Sequence, residues 1–232
     1  GIIREFQVMK IVNDKMAKLN LTFYGGTDGV TGANFLLEKK PSVDGGDDGV
    51  KILIDCGMIQ GSKFVENLNR SEFKYDPSSI DYLLVTHSHI DHIGRIPKLV
   101  RDGFKGMILS TPETKELSRL MLEDALKILE EEARKDGQLP LYEKKDVEKS
   151  LSLWNSLPYH TSREIEGGFN IYFKDSGHIL GSVMIEITYN GKKIVFTGDL
   201  GNSPSPLLKD TESVAEADYM VMESVYGDRN HE

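Results

Sequence analysis

The densest group of possible metal ligands lies in the stretch THSHIDHIG, where three imidazoles and one carboxylate occur within six residues. In an extended chain, residues i and i+2 point the same way, so His87 and His89 can bind one ion together. Asp91 and His92 follow where the chain turns into a helix, and they can face a second ion beside the first. This spacing predicts a metal site that has room for two ions.

The types of ligand indicate which metal this site would bind. Protonated imidazoles repel one another, whereas neutral ring nitrogens that are crowded together gain from a shared cation. Imidazole and carboxylate ligands suit zinc and tolerate manganese or iron. The only cysteine, Cys56, excludes both a Cys-rich zinc cluster and an internal disulfide, and we interpret it as a small buried residue.

Three residues elsewhere in the chain follow predicted strands in the same way. His178 lies in SGHILGS with a glycine on either side, and Asp199 lies in TGDLG. A second ion would lack ligands without these two residues. Asp55 ends another strand and is either a supporting residue of the site or only a turn residue. His160 has no such neighbours, and we interpret it as an ordinary histidine.

The pattern of apolar residues predicts the elements that carry these side chains. A nearly continuous apolar run over residues 80–86 predicts a buried strand that ends at the histidine cluster. Thr111 as N-cap and Pro112 in the first turn predict a long amphipathic helix that ends near residue 135. Shorter helices are predicted over residues 93–101 and 143–157. Further strands are predicted over residues 19–24, 34–39, 50–55, 107–110, 170–174, 183–189, 192–197 and 219–222.

The order of these elements indicates the fold class. The chain begins with antiparallel strands, continues with helices and returns to strands. Two of the later strands are joined by Asn190-Gly191, which is a strong signal for a type I′ hairpin. This order favours an α/β fold with two sheets in the core and helices outside, rather than a doubly wound sheet.

Composition and charge narrow the class of protein. Of the 232 residues, 39% are hydrophobic and 28% are charged, which is typical of a folded soluble enzyme. The net charge of −9 argues against a protein that binds nucleic acid through bulk positive charge. No apolar run approaches the roughly 18 residues of a membrane span, and no signal-peptide pattern opens the chain. The sequence therefore predicts a soluble, cytoplasmic protein without membrane contact.

The motif HxHxDH at residues 87–92, followed by a distant His and a distant Asp, resembles the signature of the metallo-β-lactamase superfamily. The resemblance covers nearly the whole chain, with Asp55 also in the family's order. It implies an αβ/βα sandwich of two mixed sheets with outer helices and a two-zinc site at one edge. The implied zinc ligands are His87, His89 and His178 for one ion, Asp91 and His92 for the other, and Asp199 as a bridge between them.

The segment ESVYG, residues 223–227, resembles the ESTYG segment of the β-CASP branch of this superfamily. That branch contains RNA-cleaving nucleases related to the endonuclease subunit of the cleavage and polyadenylation factor. The stretches GG at residues 25–26, GAN at 32–34 and GHILGS at 177–182 are similar to the same branch. In it, the Glu that matches Glu223 pairs with a later His in proton donation. Val225 stands where Thr is usual, which is a minor departure.

The resemblance implies a metal-dependent phosphodiester hydrolase that cleaves RNA through a dizinc-bound hydroxide, with Asp91 and Asp199 tuning that hydroxide. Because the net charge is negative, the zinc ions, rather than a groove of basic side chains, would provide the positive charge that binds RNA. One alternative is another hydrolase of this fold, such as a thioesterase or a lactonase. A second alternative is a catalytically incomplete fragment that binds RNA or a partner protein. The segment around Glu223 favours the nuclease.

The family's nucleases continue beyond this segment into a β-CASP cap domain and return to the first domain with a last histidine ligand. We expect residues 16–232 to be the N-terminal part of the metallo-β-lactamase domain of a longer nuclease, without cap and return, or a naturally short relative. In either case we expect the second zinc site to be weak or empty. Residues 1–15 are expected to be an expression remnant or an N-terminal extension. RNA is the expected substrate, and a homodimer or a processing-complex partner is a further expectation.

Overall fold

The structure is a computed structural model that describes residues 8–14, 17–27, 29–41, 49–61, 67–201, 204–225 and 227. Two β-sheets pack face to face, and helices pack on the outer face of the first sheet. This arrangement confirms the predicted α/β sandwich of two mixed sheets with outer helices. Residues 1–7, 15 and 16 lie outside the described residues, so the predicted domain boundary at residue 16 stays a prediction.

The first sheet has seven strands in the described part of the chain, and they lie side by side in sequence order. The first four strands pair antiparallel, as predicted for the second to the fourth; the first, Val8–Asp14, is an addition to the predicted strands. The remaining pairs are parallel, because longer connections return the chain to the same end of the sheet. The strands are β1 (Val8–Asp14), β2 (Ala17–Gly25), β3 (Asn34–Lys39), β4 (Val50–Ile54), β5 (Tyr82–Leu84), β6 (Met107–Ser110) and β7 (Trp154–Ser156).

The second sheet has the order β12-β11-β10-β9-β8. Among the described strands of this sheet, only β12 runs parallel to its neighbour, which makes this sheet mixed as well. Asn190 (φ 47°) and Gly191 (φ 73°) both adopt the left-handed conformation of a type I′ turn, so the predicted hairpin is confirmed. The strands are β8 (Ser162–Ile165), β9 (Phe169–Asp175), β10 (Val183–Tyr189), β11 (Lys192–Phe196) and β12 (Tyr219–Val221).

Four α-helices occur between residues 90 and 152. The side chain of Thr111 accepts a hydrogen bond from Thr114 N, and Pro112 occupies the first turn, so the predicted start of the long helix is confirmed. None of the described helices is long and apolar enough to cross a membrane. The helices are α1 (Ile90–Ile93), α2 (Ile96–Arg101), α3 (Pro112–Asp136) and α4 (Lys144–Ser152).

The structure corrects three predicted elements. The predicted helix over residues 93–101 begins only at Ile96, and a separate short helix, α1, precedes it. The predicted helix over residues 143–157 ends at Ser152, because Trp154 joins the first sheet through β6 and donates its indole N–H to Ser110 Oγ at 2.9 Å. The predicted strand over residues 80–86 is regular only at Tyr82–Leu84.

Alternation along the strands divides the apolar side chains between two cores. Leu37 and Ile52 of the first sheet face Ile171 and Ile185 of the second. Their sequence neighbours, such as Leu53, face the helices. These two layers bring the loops after β4, β5 and β11 and the loop before β10 to one edge of the sandwich.

Candidate metal centre

Four predicted ligands converge at this edge. His87 and His89 follow β5, His178 lies between β9 and β10, and Asp199 follows β11. One possible ligand atom from each of the four residues lies within 4.8 Å of the other three. His89 Nδ1 is 3.1 Å from His87 Nε2 and 3.2 Å from His178 Nε2. Three ring nitrogens and one carboxylate form a donor set that zinc accepts, so these residues fit a metal ion.

Asp199 faces two groups of ligands with its two oxygens. Its Oδ2 is 3.7 Å from His87 Nε2 and 3.6 Å from His178 Nε2. Its Oδ1 is 3.2 Å from His92 Nε2, and Asp91 Oδ2 is 3.8 Å from the same nitrogen. His92 and Asp91 thus form a second group of donors beside the first, with Asp199 between the two groups. The assignment of each residue to a particular ion stays a prediction.

Asp55 lies behind His92, outside the group of four donors. Its Oδ2 accepts hydrogen bonds from His92 Nδ1 and from Thr86 Oγ1, both at 2.7 Å, and its Oδ1 accepts one from Thr86 N at 2.8 Å. Asn34 Nδ2 donates to the carbonyl oxygen of Asp55 at 3.0 Å. A carboxylate on the far ring nitrogen fixes the orientation of a ligating histidine. Asp55 therefore leaves Nε2 of His92 facing Asp199.

The loop after β4 holds the short helix that carries Asp91 and His92. Cys56 N donates to His92 O at 2.8 Å, and Ala33 N donates to Asp91 O at 3.0 Å. Gly57 packs against the same helix so closely that a Cβ atom there would lie 1.5 Å from Asp91 O. Only glycine permits this approach of two backbones, so Gly57 is required for the position of both ligands.

The loop with His178 is held by the hydroxyl group of Ser182. Ser182 Oγ accepts hydrogen bonds from His178 N and from Ile179 N, both at 3.1 Å. The next residue, Val183, donates its N–H to Thr86 O at 2.8 Å, which joins this loop to the loop with His87. The two sheets are therefore linked directly at the site.

Burial and the neighbouring charges together determine which of these histidines are neutral. Burial lowers the pKa of His87 well below its usual value, and the neighbouring imidazoles lower it further. Burial also lowers the pKa of His178. For His92, burial lowers the pKa, but the carboxylates of Asp55 and Asp199 outweigh this effect and raise the pKa to about 10. The neutral rings of His87 and His178 offer the free nitrogens that a cation requires.

The pKa values of the acidic residues at the site also depend on burial and on neighbouring charges. Burial raises the pKa of Asp91. For Asp199, burial opposes ionisation, but the hydrogen bond and the charge of His92 lower the pKa overall. Burial and the nearby Asp199 raise the pKa of Glu223, whose Oε1 accepts a hydrogen bond from Leu200 N at 3.0 Å. The predicted role of Glu223 in proton donation stays a prediction, and Tyr226 of its segment lies outside the described residues.

Sequence reasoning missed the residues that hold the ligands in place. Asn34, Thr86 and Ser182 are polar side chains that are almost fully buried. Each lies within or next to one of the motifs described above. The hydrogen bonds of Asn34 and Thr86 to Asp55 span 21 and 31 residues, and those to Ser182 depend on the conformation of its loop, so none of them follows from the sequence. A polar residue at the end of an apolar strand was the only signal available.

Comparisons with known proteins show the family of the chain and some of its relatives. The sequence profile of the metallo-beta-lactamase superfamily matches residues 43–221. The chain is 37% identical over 183 residues to ribonuclease TTHA0252 of Thermus thermophilus. The aligned residues make up 79% of this chain and 40% of the relative. It is 33% identical over 187 residues to cleavage and polyadenylation specificity factor 73 of Drosophila melanogaster. These residues make up 79% of this chain and 26% of that relative.

A third relative extends the match toward the chain ends. The transcription termination factor FttA of Methanosarcina mazei is 30% identical over 220 residues, which are 91% of this chain and 32% of the relative. The chain thus spans between about a quarter and two fifths of the length of these three relatives. The family match covers well over half of the chain and includes the HxHxDH motif. The chain belongs to the metallo-β-lactamase superfamily.

Proposed function

We propose that this chain carries the catalytic metal centre of a zinc-dependent phosphodiesterase that cleaves RNA. The observation that supports this proposal most strongly is the position of Asp199. Its two oxygens face the imidazoles of His87 and His178 on one side and of His92 on the other. A carboxylate between two groups of donors is suited to a site with two ions.

The names of the relatives support RNA as the substrate. They include a ribonuclease, a cleavage and polyadenylation specificity factor and a transcription termination factor. The family implies a metal cofactor, and the described donors contain imidazole and carboxylate, which suit zinc. A cytoplasmic location and a homodimer or processing-complex partner remain predictions, as does a weak second zinc site.

The side chains of the site have distinct tasks in this proposal. His87, His89 and His178 would hold one ion, and Asp91 and His92 would hold the other. Asp199 would contact both ions. Zinc in such a site activates water and neutralises the negative charge of the reacting phosphate.

Two residues act beside these ligands. Asp55 orients the ring of His92 through its hydrogen bond to Nδ1. Glu223 has one oxygen, Oε1, that accepts from Leu200 N, and its raised pKa suits its other oxygen to carry a proton toward the leaving group.

The test is cleavage of a labelled single-stranded RNA by the zinc-loaded full chain. His89→Ala and Asp199→Ala should each lower the cleavage rate by about 10³-fold or more, because each removes a ligand. His160→Ala is the matched control, since His160 lies outside the site and pairs with Glu212 instead. This variant should cleave RNA as the wild type does.

The same preparations distinguish the alternatives. Undiminished RNA cleavage by His89→Ala or Asp199→Ala would contradict the proposed roles. Hydrolysis of a thioester or lactone, with no cleavage of RNA, would show another hydrolase of the same fold. Binding of RNA without any hydrolysis would show a catalytically incomplete fragment.

A further inference from the structure

The loop that carries His178 is joined to a segment farther along the chain. Ser176, two residues before His178, is fully buried. Its carbonyl oxygen accepts two hydrogen bonds, one from Gly201 N and one from Thr211 Oγ1, both at 2.8 Å. Gly201 follows Asp199 by two residues. One buried carbonyl oxygen therefore links the loops of two predicted metal ligands to Thr211.

Backbone packing at Gly177 makes this junction tight. Gly177 has a φ of 68°, and a Cβ atom there would lie 2.8 Å from Lys209 O and 2.9 Å from Thr211 N. A Cβ atom at Gly201 would lie 2.0 Å from Gly177 O. Only glycine permits approaches as close as these. Residues 209–211 thus form a clamp on the residue that directly precedes His178.

Two further hydrogen bonds anchor the chain beside the clamp to β9, the strand that leads into the same loop. Glu212 N donates to Asp175 O at 3.0 Å, and Lys174 Nζ donates to Ser213 O at 2.8 Å. β9 in turn pairs with β10, which follows the loop. The second sheet therefore determines where Thr211 lies, independently of any metal ion.

We propose that Thr211 is a positioning residue of the metal centre and acts through His178. The inference rests on the proposed function, in which His178 holds one of the ions. The hydroxyl group of Thr211 fixes the backbone before His178, and the imidazole then lies with Nε2 3.2 Å from His89 Nδ1. Groups that orient a ligand without contacting the metal typically change metal affinity by about 10- to 100-fold.

The test removes this hydroxyl group and follows the binding of cobalt. Cobalt accepts the same imidazole and carboxylate donors as zinc, and its visible absorption spectrum depends on the geometry of its ligands. In Thr211→Val a methyl group would have to replace a hydroxyl group that lies 2.8 Å from Ser176 O. A methyl carbon needs about 3.3 Å or more from a carbonyl oxygen, so the clamp and the loop must move apart.

We expect Thr211→Val to bind cobalt about 10-fold more weakly than the wild type, as measured by titration of the full chain against a chelator. The cobalt spectrum should change as well, because one imidazole moves. Thr211→Ser keeps the hydroxyl group and should retain the wild-type affinity and spectrum.

The matched control is Ser150→Ala. Ser150 is fully buried, and its Oγ donates to Asp146 O at 2.7 Å within α4, which packs on α2 and α3. This variant also removes a hydroxyl-to-carbonyl hydrogen bond, but it leaves the ligand loops unchanged. It should therefore bind cobalt with the wild-type affinity and spectrum.

A double-mutant cycle tests whether Thr211 acts through His178. In a His178→Ala background, Thr211→Val should change the cobalt affinity by less than about 2-fold, because the imidazole that Thr211 positions is gone. Equal weakening in both backgrounds, or no weakening in the wild-type background, would overturn the proposal. If His178→Ala binds too little cobalt to titrate, the spectra decide, and a wild-type spectrum of Thr211→Val would overturn it.

The titration requires no RNA, so the two proposals can fail separately. The expected cycle in a chain that cleaves no RNA would overturn the proposed function alone. RNA cleavage that depends on His89 and Asp199, with wild-type cobalt binding by Thr211→Val, would overturn the role of Thr211 alone.

Discussion

At the scale of single residues, the site depends on carboxylates with different tasks. Asp199 lies among the imidazoles, whereas the carboxylate of Asp55 accepts hydrogen bonds from the far side of His92 and from the neighbouring Thr86. Asp55 also has a φ of 55°, a left-handed conformation that Asp and Asn adopt more readily than most residues. Its geometry thus favours the interpretation as a supporting residue over that of a simple turn residue.

The variant Asp55→Asn tests this role. Asparagine tolerates the same backbone conformation but provides no negative charge behind His92. We expect it to lower the affinity for the more weakly bound zinc ion by about 10- to 100-fold, as measured by titration against a chelator of known affinity. Asp218→Asn, on the exposed hairpin side where Asp218 pairs with Lys192, should bind zinc as the wild type does. Wild-type zinc binding by Asp55→Asn would contradict the supporting role.

Cys56 leads to a prediction about stability at high pH. Burial raises the pKa of its thiol to about 11 in the folded chain, whereas an unfolded cysteine has a pKa of about 8.5. Above pH 8.5 the thiol ionises only in the unfolded chain, so folding stability falls as the pH rises toward 11. Between pH 8 and pH 10 this loss amounts to about 2 kcal/mol.

The measurement is urea unfolding at both pH values for the wild type and for Cys56→Ala. The variant has no thiol to ionise, so its free energy of unfolding should fall by about 2 kcal/mol less than that of the wild type. An equal loss in both proteins would show that the thiol does not titrate as expected.

At the scale of elements, local signals predicted those parts of the fold that local chemistry determines. The cap formed by Thr111 and Pro112 and the Asn190-Gly191 turn were correct because each depends on a few adjacent residues. The end of α4 was wrong because Trp154 leaves the helical pattern to pair with β6, a contact across more than 40 residues. The short edge strand β8 was missed because it is mostly polar.

The same division applies to the site. The ligands could be predicted from residue type and spacing, since an HxHxDH sequence after an apolar strand has no packing role. The hydrogen bonds that orient them could not, because Thr86 and Asp55 are 31 residues apart and meet only when β4 and β5 pair. Sequence periodicity shows which side chains share a face but not which distant loops come together.

Gly57 gives a prediction at this scale. In Gly57→Ala the new methyl group would overlap Asp91 O, so the loop and helix α1 must move apart. We expect the free energy of unfolding to fall by about 3 kcal/mol or more and zinc binding to weaken, as measured by urea unfolding and chelator titration. Gly29→Ala is the matched control, because nothing lies within 4 Å of a Cβ atom at Gly29. A variant at Gly57 as stable as the control would contradict the close packing.

At the scale of the whole molecule, the metal centre joins two sheets that are otherwise connected mainly through their apolar core. His87, His89 and His92 come from the first sheet, and His178 and Asp199 come from the second. A cation shared by these groups binds the folded chain more tightly than the unfolded chain, because His178 and Asp199 are far from the HxHxDH motif in the sequence. Metal binding should therefore stabilise the complete fold.

Removal of the metal tests this coupling. With free zinc at about 100 times its dissociation constant, the stabilisation is about 2.7 kcal/mol, which corresponds to roughly 5 to 10 °C in Tm for a chain of this size. Chelation should lower the Tm by that amount, and added zinc should restore it, as measured by calorimetry. His89→Ala should show a much smaller response. An equal response of the wild type and this variant would place the stabilising ion elsewhere.

The most direct test of the central claim is anomalous X-ray diffraction at the zinc edge from crystals of the zinc-loaded protein. We predict two peaks about 3.5 to 4 Å apart, one beside His87, His89 and His178 and the other beside Asp91 and His92, with Asp199 between them. No anomalous peak at this edge of the sandwich, or peaks bound by other residues, would contradict the account.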